Sequence, residues 1–138
     1  MKFVLSEKAI GKGRPRFTRR GTYVQTYTPA KTEAYQNRLK SAFLEQCKGQ
    51  YDKDYTGAIN IDIWAFYEPP KSCSKKKRVE LLESAHLKKP DADNIAKCIL
   101  DALNGVAYKD DSQISELMVH KYYDEEDKVI VKIEYLEG

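Results

Sequence analysis

Cysteine is scarce here and badly placed for any framework. Cys47, Cys73 and Cys98 are odd in number, and no two stand in Cys-x-x-Cys spacing. That argues against a disulfide scaffold and against a structural zinc site, and it makes a reducing cytoplasm the simplest location. Histidine is scarcer still. His86 and His120 have no histidine or cysteine partner at ligand spacing, so neither receives a role. No apolar run approaches the roughly 18 residues of a membrane span. The run in Met1–Glu7 is too short for a signal peptide, so neither export nor a membrane partner is expected. Internal repeats and low-complexity segments are absent too. Net charge is only +3, and the total alone does not announce a nucleic-acid binder.

The distribution of charge says more than the total. Lys8, Lys12, Arg14, Arg16, Arg19 and Arg20 follow one another without an intervening acid, and Lys71, Lys75, Lys76, Lys77 and Arg78 form a second basic run. Many of the carboxylates gather between Asp91 and Asp127. A nearly neutral chain can thus present a basic face to phosphate. With 138 residues and 41% apolar content, the chain can bury one core, and residues 1–138 are read as a single domain.

Periodicity supplies the elements. Residues 2–6 form a short strand, and 8–22, without an apolar period, a mobile basic loop. Thr28-Pro29 reads as a helix start, with Thr28 as cap and Pro29 at the first helical position. Tyr35, Leu39, Ala42, Phe43 and Cys47 follow helical spacing as far as Gly49. Residues 57–67 alternate as a strand, with Ile59, Ile61, Ile63 and Ala65 on the buried side. Residues 71–88 read as a mobile charged insertion, with a short helix near 75–85. The clearest helix follows Pro90, with Asp91 as its cap. Ile95, Cys98, Ile99, Ala102 and Leu103 make one buried stripe, and Asp93, Asn94, Lys97 and Asp101 gather opposite. Asn104-Gly105 stops it. Strands near 113–123 and 128–136, joined by the turn at Asp124–Asp127, complete an α+β fold. It has a single mixed sheet of about four strands with helices packed on it.

Two carboxylates, Asp91 and Asp93, start that last helix and can converge on one hard cation such as Mg²⁺. Asp110-Asp111 follow after a short loop, and either could complete the set if the loop turns back. Such an ion polarises a phosphodiester and lowers the pKa of a bound water. Lys97, four residues after Asp93, shares its helical face and could hold a phosphate. Each residue also has a plain structural use: Asp at a helix start caps it, Asp-Asp makes a turn, and Lys97 pairs along the helix. Arg14, Arg16, Arg19 and Arg20 could be a solvated loop, but a stretch this basic more often meets phosphate. Phe17, Tyr23 and Tyr27 interleave it and could stack on bases or pack in the core.

The stretch Lys89-Pro-Asp-Ala-Asp-Asn-Ile-Ala-Lys97, then Asp101-Ala-Leu-Asn-Gly-Val106, then Asp110-Asp-Ser-Gln-Ile114 closely resembles the RusA family of Holliday junction resolvases. Gly11-Lys12-Gly13-Arg14-Pro15-Arg16 is similar to the family's Arg-Pro-Arg entry. The resemblance covers most of the chain. It implies a homodimer that binds four-way DNA junctions and nicks them in pairs with Mg²⁺, for which Mn²⁺ could substitute. By that resemblance Asp91, Asp93 and Asp111 are metal ligands and essential acids, Asp110 is a helper, and Lys97 is the functional lysine. DNA contacts fall to Lys12, Arg14, Arg16, Arg19 and Arg20. Two competitors remain from the residues themselves. One is a non-catalytic nucleic-acid-binding module working through the 8–20 stretch. The other is a small-substrate phosphohydrolase, disfavoured because such enzymes carry Asp-x-Asp just after a strand.

Overall fold

The computed structural model describes the backbone of residues 1–12, 16–20, 23–27 and 29–136, and the side chains of 1–12 and 29–136. Its elements are β1 (Lys2–Leu5), β2 (Arg16–Arg20), β3 (Tyr23–Tyr27), α1 (Ala30–Gln46), β4 (Ala58–Tyr67), α2 (Lys75–Leu81), α3 (Ala92–Leu103), β5 (Ile114–Tyr123) and β6 (Lys128–Leu136). Among the described residues, no helix is long and apolar enough to cross a membrane.

Four strands form one mixed sheet in the order β1-β6-β4-β5. β6 pairs antiparallel with both β1 and β4, whereas β4 and β5 run parallel. A parallel pair needs a long crossover, and residues 68–113 supply it with α2 and α3 inside. The alternation in β4 is followed closely. Ile59, Ile61, Ile63 and Ala65 are fully buried, as are Val129 and Val131 of β6, beneath α1 and α3. The other face of the sheet stays open and carries Trp64 stacked on His120, centroids 5.1 Å apart.

Three differences from the sequence-based expectations have physical causes. Part of the basic segment at 8–22 is strand: β2 pairs antiparallel with β3, Arg16 opposite Tyr27 and Arg20 opposite Tyr23. The sequence Arg16-Phe-Thr-Arg-Arg20 carries no alternating apolar period, so nothing in it marked a strand. Arg14 and Thr28 lie outside the described residues, as do the side chains of Arg16, Arg19 and Arg20. α1 starts one residue later than expected, at Ala30, with Pro29 as the cap residue.

The third difference is the 71–88 segment, whose end is fastened to the sheet. The Glu83 N–H donates to the Tyr123 carbonyl, Tyr123 N–H to Ser84, and His86 N–H to Lys121. This short stretch occupies the free edge of β5, where unpaired backbone groups would otherwise face solvent. At the opposite edge Gln46 does the same for β1, its amide accepting from the Val4 N–H at 2.9 Å and donating to the Val4 carbonyl at 2.7 Å.

The burial pattern makes a direct prediction. Ile63→Ala, at the centre of the buried face, should lower unfolding free energy by about 2–5 kcal/mol. Asp62→Ala, its neighbour on the open face, should stay within about 0.5 kcal/mol. Urea unfolding followed by circular dichroism compares the two, and equal losses would mean that both faces are packed.

Candidate active site

Helix α3 carries the central motif. Ile95, Ala96, Cys98, Ile99, Ala102 and Leu103 are buried against the sheet and α1. That fixes the helix's rotation, so Asp93 and Lys97 face solvent one turn apart. Among the described residues, neither forms an ion pair with another side chain. Asp91 occupies the cap position, yet its side chain makes no capping hydrogen bond. Its carboxylate is half exposed and meets only Lys89 Nζ, at 2.9 Å. The ordinary structural use of an aspartate at a helix start is thus left unused. The carboxylate, paired only with the exposed Lys89 among the described residues, lies beside the helix N-terminus, where unsatisfied N–H groups favour negative charge.

The Asp110-Asp111 turn resolves the two acids by role. Asp110 caps the short 3₁₀ turn Asp111–Gln113: its carboxylate accepts from the Ser112 N–H at 3.1 Å. Hydrogen bonds from Ser112 hold that carboxyl below the usual carboxylate range. Gln113 answers from the other side, accepting from the N–H groups of Lys109 and Asp110, each at 3.1 Å. Its amide nitrogen donates to the Tyr55 and Gly57 carbonyls and ties the turn to the start of β4. Asp111 carries no such duty. It is exposed, and with Asp101 it lies near the buried Tyr108 phenol. Burial, with these carboxylates adding, pushes that phenol's pKa up. Tyr108 in turn donates to the Leu100 carbonyl at 2.7 Å. The loop after α3 thus packs back onto the helix's last turns, not onto its start, where Asp91 and Asp93 stand.

The basic entry is fastened to the same helix. The Lys12 N–H donates to the Asn94 carbonyl at 3.2 Å, and Lys12 Nζ pairs with Asp101. Tyr67 holds the Ala9 carbonyl at 3.0 Å. A Cβ on Gly11 would meet Asn94 Cβ at 3.0 Å and Pro90 Cβ at 3.1 Å, so a larger residue here would push the start of α3 away by a few tenths of an ångström. Asp101 thus finds its partner in Lys12 rather than in Lys97, and Lys12 itself is engaged at the polar flank of α3.

The donor chemistry suits a hard divalent cation. Asp91, Asp93 and Asp111 offer exposed carboxylate oxygens, and Mg²⁺ is commonly held by one or two carboxylates with its waters retained. Among the described residues, no three His, Cys, Asp or Glu side chains stand close enough together to hold a metal ion, so Asp111 is not brought to Asp91 and Asp93 as a third ligand. The fold provides an aspartate pair at the helix start and, farther along α3, one more acid, Asp101, which is paired with Lys12.

A family model described as endodeoxyribonuclease RusA matches residues 7–134. The chain belongs to the RusA family. A similar curated protein is YqaN of Bacillus subtilis (strain 168), described as uncharacterized. It is 36% identical over 137 residues, covering 96% of this chain and 94% of that protein. The RusA match spans both the basic entry and the acidic motif, so the two belong to one endonuclease unit.

Two residues that the sequence reading passed over matter here. Gln113 stands three after Asp110, the spacing of a reciprocal cap, and could have been read from that signal. His86 could not. It is buried through contacts with Tyr67 and Tyr123, which only the folded chain brings together.

The roles of the two adjacent acids can be separated. Asp110→Asn should keep the melting temperature, since Asn caps as well as Asp, whereas Asp110→Ala should lower it. Asp111→Asn should leave melting unchanged and remove DNA nicking. Thermal unfolding and a plasmid or junction nicking assay on the three variants check this. Loss of nicking only in the Asp110 variants would reverse the assignment.

Proposed function

We propose that this RusA-family protein is a Holliday junction resolvase, a homodimer that makes paired symmetric nicks in four-way DNA junctions with Mg²⁺, or with Mn²⁺ in its place. The observation that carries the proposal is the freedom of Asp91 and Asp93 at the start of α3. Both are exposed, neither is used as a cap, and Lys97 follows on the same face.

On this reading Asp91, Asp93 and Asp111 hold the cation. The cation supplies charge neutralisation and Lewis acidity at the scissile phosphate. Lys97 places an ammonium beside the same phosphate, where charge grows as the diester is attacked. Asp110 and Gln113 fix the turn that presents Asp111. The segment from Lys12 through Arg14, Arg16, Arg19 and Arg20 meets the DNA backbone. It is tied to α3 through Lys12, lies against the start of α3 at Gly11 and is held to β4 through Ala9, so it delivers DNA next to the acids. One acidic set makes one nick, and a two-fold dimer provides the symmetric second.

The deciding assay is cleavage of synthetic junction, duplex and single-stranded DNA with and without Mg²⁺. Asp91→Asn and Asp93→Asn should each abolish junction cleavage while keeping fold and junction binding. More than a tenth of wild-type activity in either would count against the site. Junction binding indifferent to Mg²⁺, with no cleavage, would instead support a binding module.

Lys97→Ala should slow single-turnover nicking by roughly 10²–10³-fold, the order seen when an oxyanion donor is removed. A rate within about threefold of wild type would demote Lys97 to a surface residue. Replacing Arg14 and Arg16 by Ala should flatten the dependence of log affinity on log salt by about 0.9 per lost phosphate contact, measured by fluorescence anisotropy on a junction. An unchanged slope would mean that these arginines are only solvated.

A further inference from the structure

Leading away from Asp91 is a groove that the acids and the arginine-rich entry leave unexplained. Its first part is lined by Asp91, Ala92, Lys89, Lys88, Leu87, His86 and Lys121. Its continuation shares His86, Lys88 and Lys89 and reaches Lys8. Lys121 lines the first part, Lys8 the second, and Lys88 and Lys89 both, so four lysines from three separate stretches of chain border two adjoining concavities around His86. Among the described residues two carboxylates line them, and both are answered: Glu68 by Arg78 at 3.7 Å, and Asp91 by Lys89 at 2.9 Å. Among the described residues, Lys8, Lys88 and Lys121 have no carboxylate partner. Lys121 Nζ is held over the groove by the Lys88 carbonyl, at 2.7 Å. Gathering like charges is unfavourable unless an anion relieves it.

At the floor sits His86, only 8% exposed. Its ring stacks on Tyr67, centroids 4.0 Å apart, and meets the edge of Tyr123. Among the described residues its Nδ1 is buried without a hydrogen-bond partner, which costs free energy in this ring orientation. Burial, together with Lys121, Lys88 and Lys8, keeps the imidazole pKa below its ordinary value. A neutral ring can still donate one N–H.

We infer that this groove is a second phosphate site, in which Lys8, Lys88 and Lys121, with His86 at the floor, hold a backbone phosphate of the DNA strand flanking the one at Asp91. The inference rests on the nuclease reading for the identity of the anion, and on the groove's own residues for its existence. It gives the DNA a fixed path. One phosphate sits at the acids and another in the lysine groove, so the strand's direction across α3 is set by two points rather than one.

The test uses the full-length protein and a synthetic four-way junction in EDTA. Lys8→Ala/Lys88→Ala should weaken binding and lower the log–log salt slope by on the order of 1–2. The charge-matched variant Lys48→Ala/Lys53→Ala, whose lysines lie outside the groove, should change the slope by less than half as much. A hexathymidylate added to wild type should shift the His86 ring proton resonances, and the shift should vanish in Lys8→Ala/Lys88→Ala. Equal slopes in the two double variants, or an unmoved His86 resonance at saturating oligonucleotide, would overturn the site. Junction cleavage by wild type with Mg²⁺ is measured alongside. Groove-dependent binding without cleavage would reject the nuclease reading and keep the groove. Cleavage with an unmoved slope and resonance would do the reverse.

Discussion

Everything at the candidate site depends on the rotation of α3 about its own axis. Six of its twelve residues are buried, so turning the helix by one position would drag Asp93 or Lys97 toward the core and expose Ile95 or Ile99. Burying even one such aliphatic side chain is worth about 1.5–3 kcal/mol, and an unpaired buried charge costs more than that. The core therefore holds the polar face outward far more firmly than any surface ion pair could. Contacts from outside sharpen the placement: Gln36 donates to the Cys98 carbonyl at 3.0 Å, and Lys12 reaches Asp101. A catalytic set mounted on such a helix inherits the rigidity of the core beneath it.

The same helix explains why the acids can coexist with a DNA-binding surface. Carboxylates repel phosphate, and a stripe of them would repel the substrate unless cations intervened. Lysines stand between and beside them: Lys89 on Asp91, Lys97 after Asp93, Lys12 on Asp101. The exposed pairs contribute little stability. Their effect is to keep the local field near balance along this face of α3.

How much of this could be read from the chain alone varies with the kind of signal. α3 and β4 were legible because burial imposes a period, and Ile59, Ile61, Ile63 and Ile95, Cys98, Ile99 keep it without interruption. The β2–β3 ribbon was not, since Arg16–Arg20 shows no alternating apolar period in sequence. The parallel pairing of β4 with β5 was not either, because register between strands separated by a long crossover leaves no local trace. At the site, the residue types were legible and their duties were not. Asp91 and Asp110 are each an aspartate at a turn or helix start. Only hydrogen-bond geometry shows that Asp110 is consumed by its cap and Asp91 is not. The lysine groove was the least legible of all, for Lys8, Lys88 and Lys121 are distant in sequence and ordinary in type.

The closure of the sheet edge links these parts. β5 is an edge strand, and its free side is taken by residues 83–86, with Ala85 bridged to Tyr122. Such an edge must be covered somehow to prevent association through exposed backbone groups. Covering it with this stretch has a second effect, because the chain leaves the edge at His86 and enters α3 at Ala92. The path from sheet to helix is then only a few residues long, and Lys88, Lys89 and Asp91 all lie on it. Anchoring at one end by strand-like hydrogen bonds and at the other by a core-packed helix leaves that path little freedom. A segment that reads as a charged insertion thus acts as the strap holding the acidic motif and the lysine groove in fixed relation.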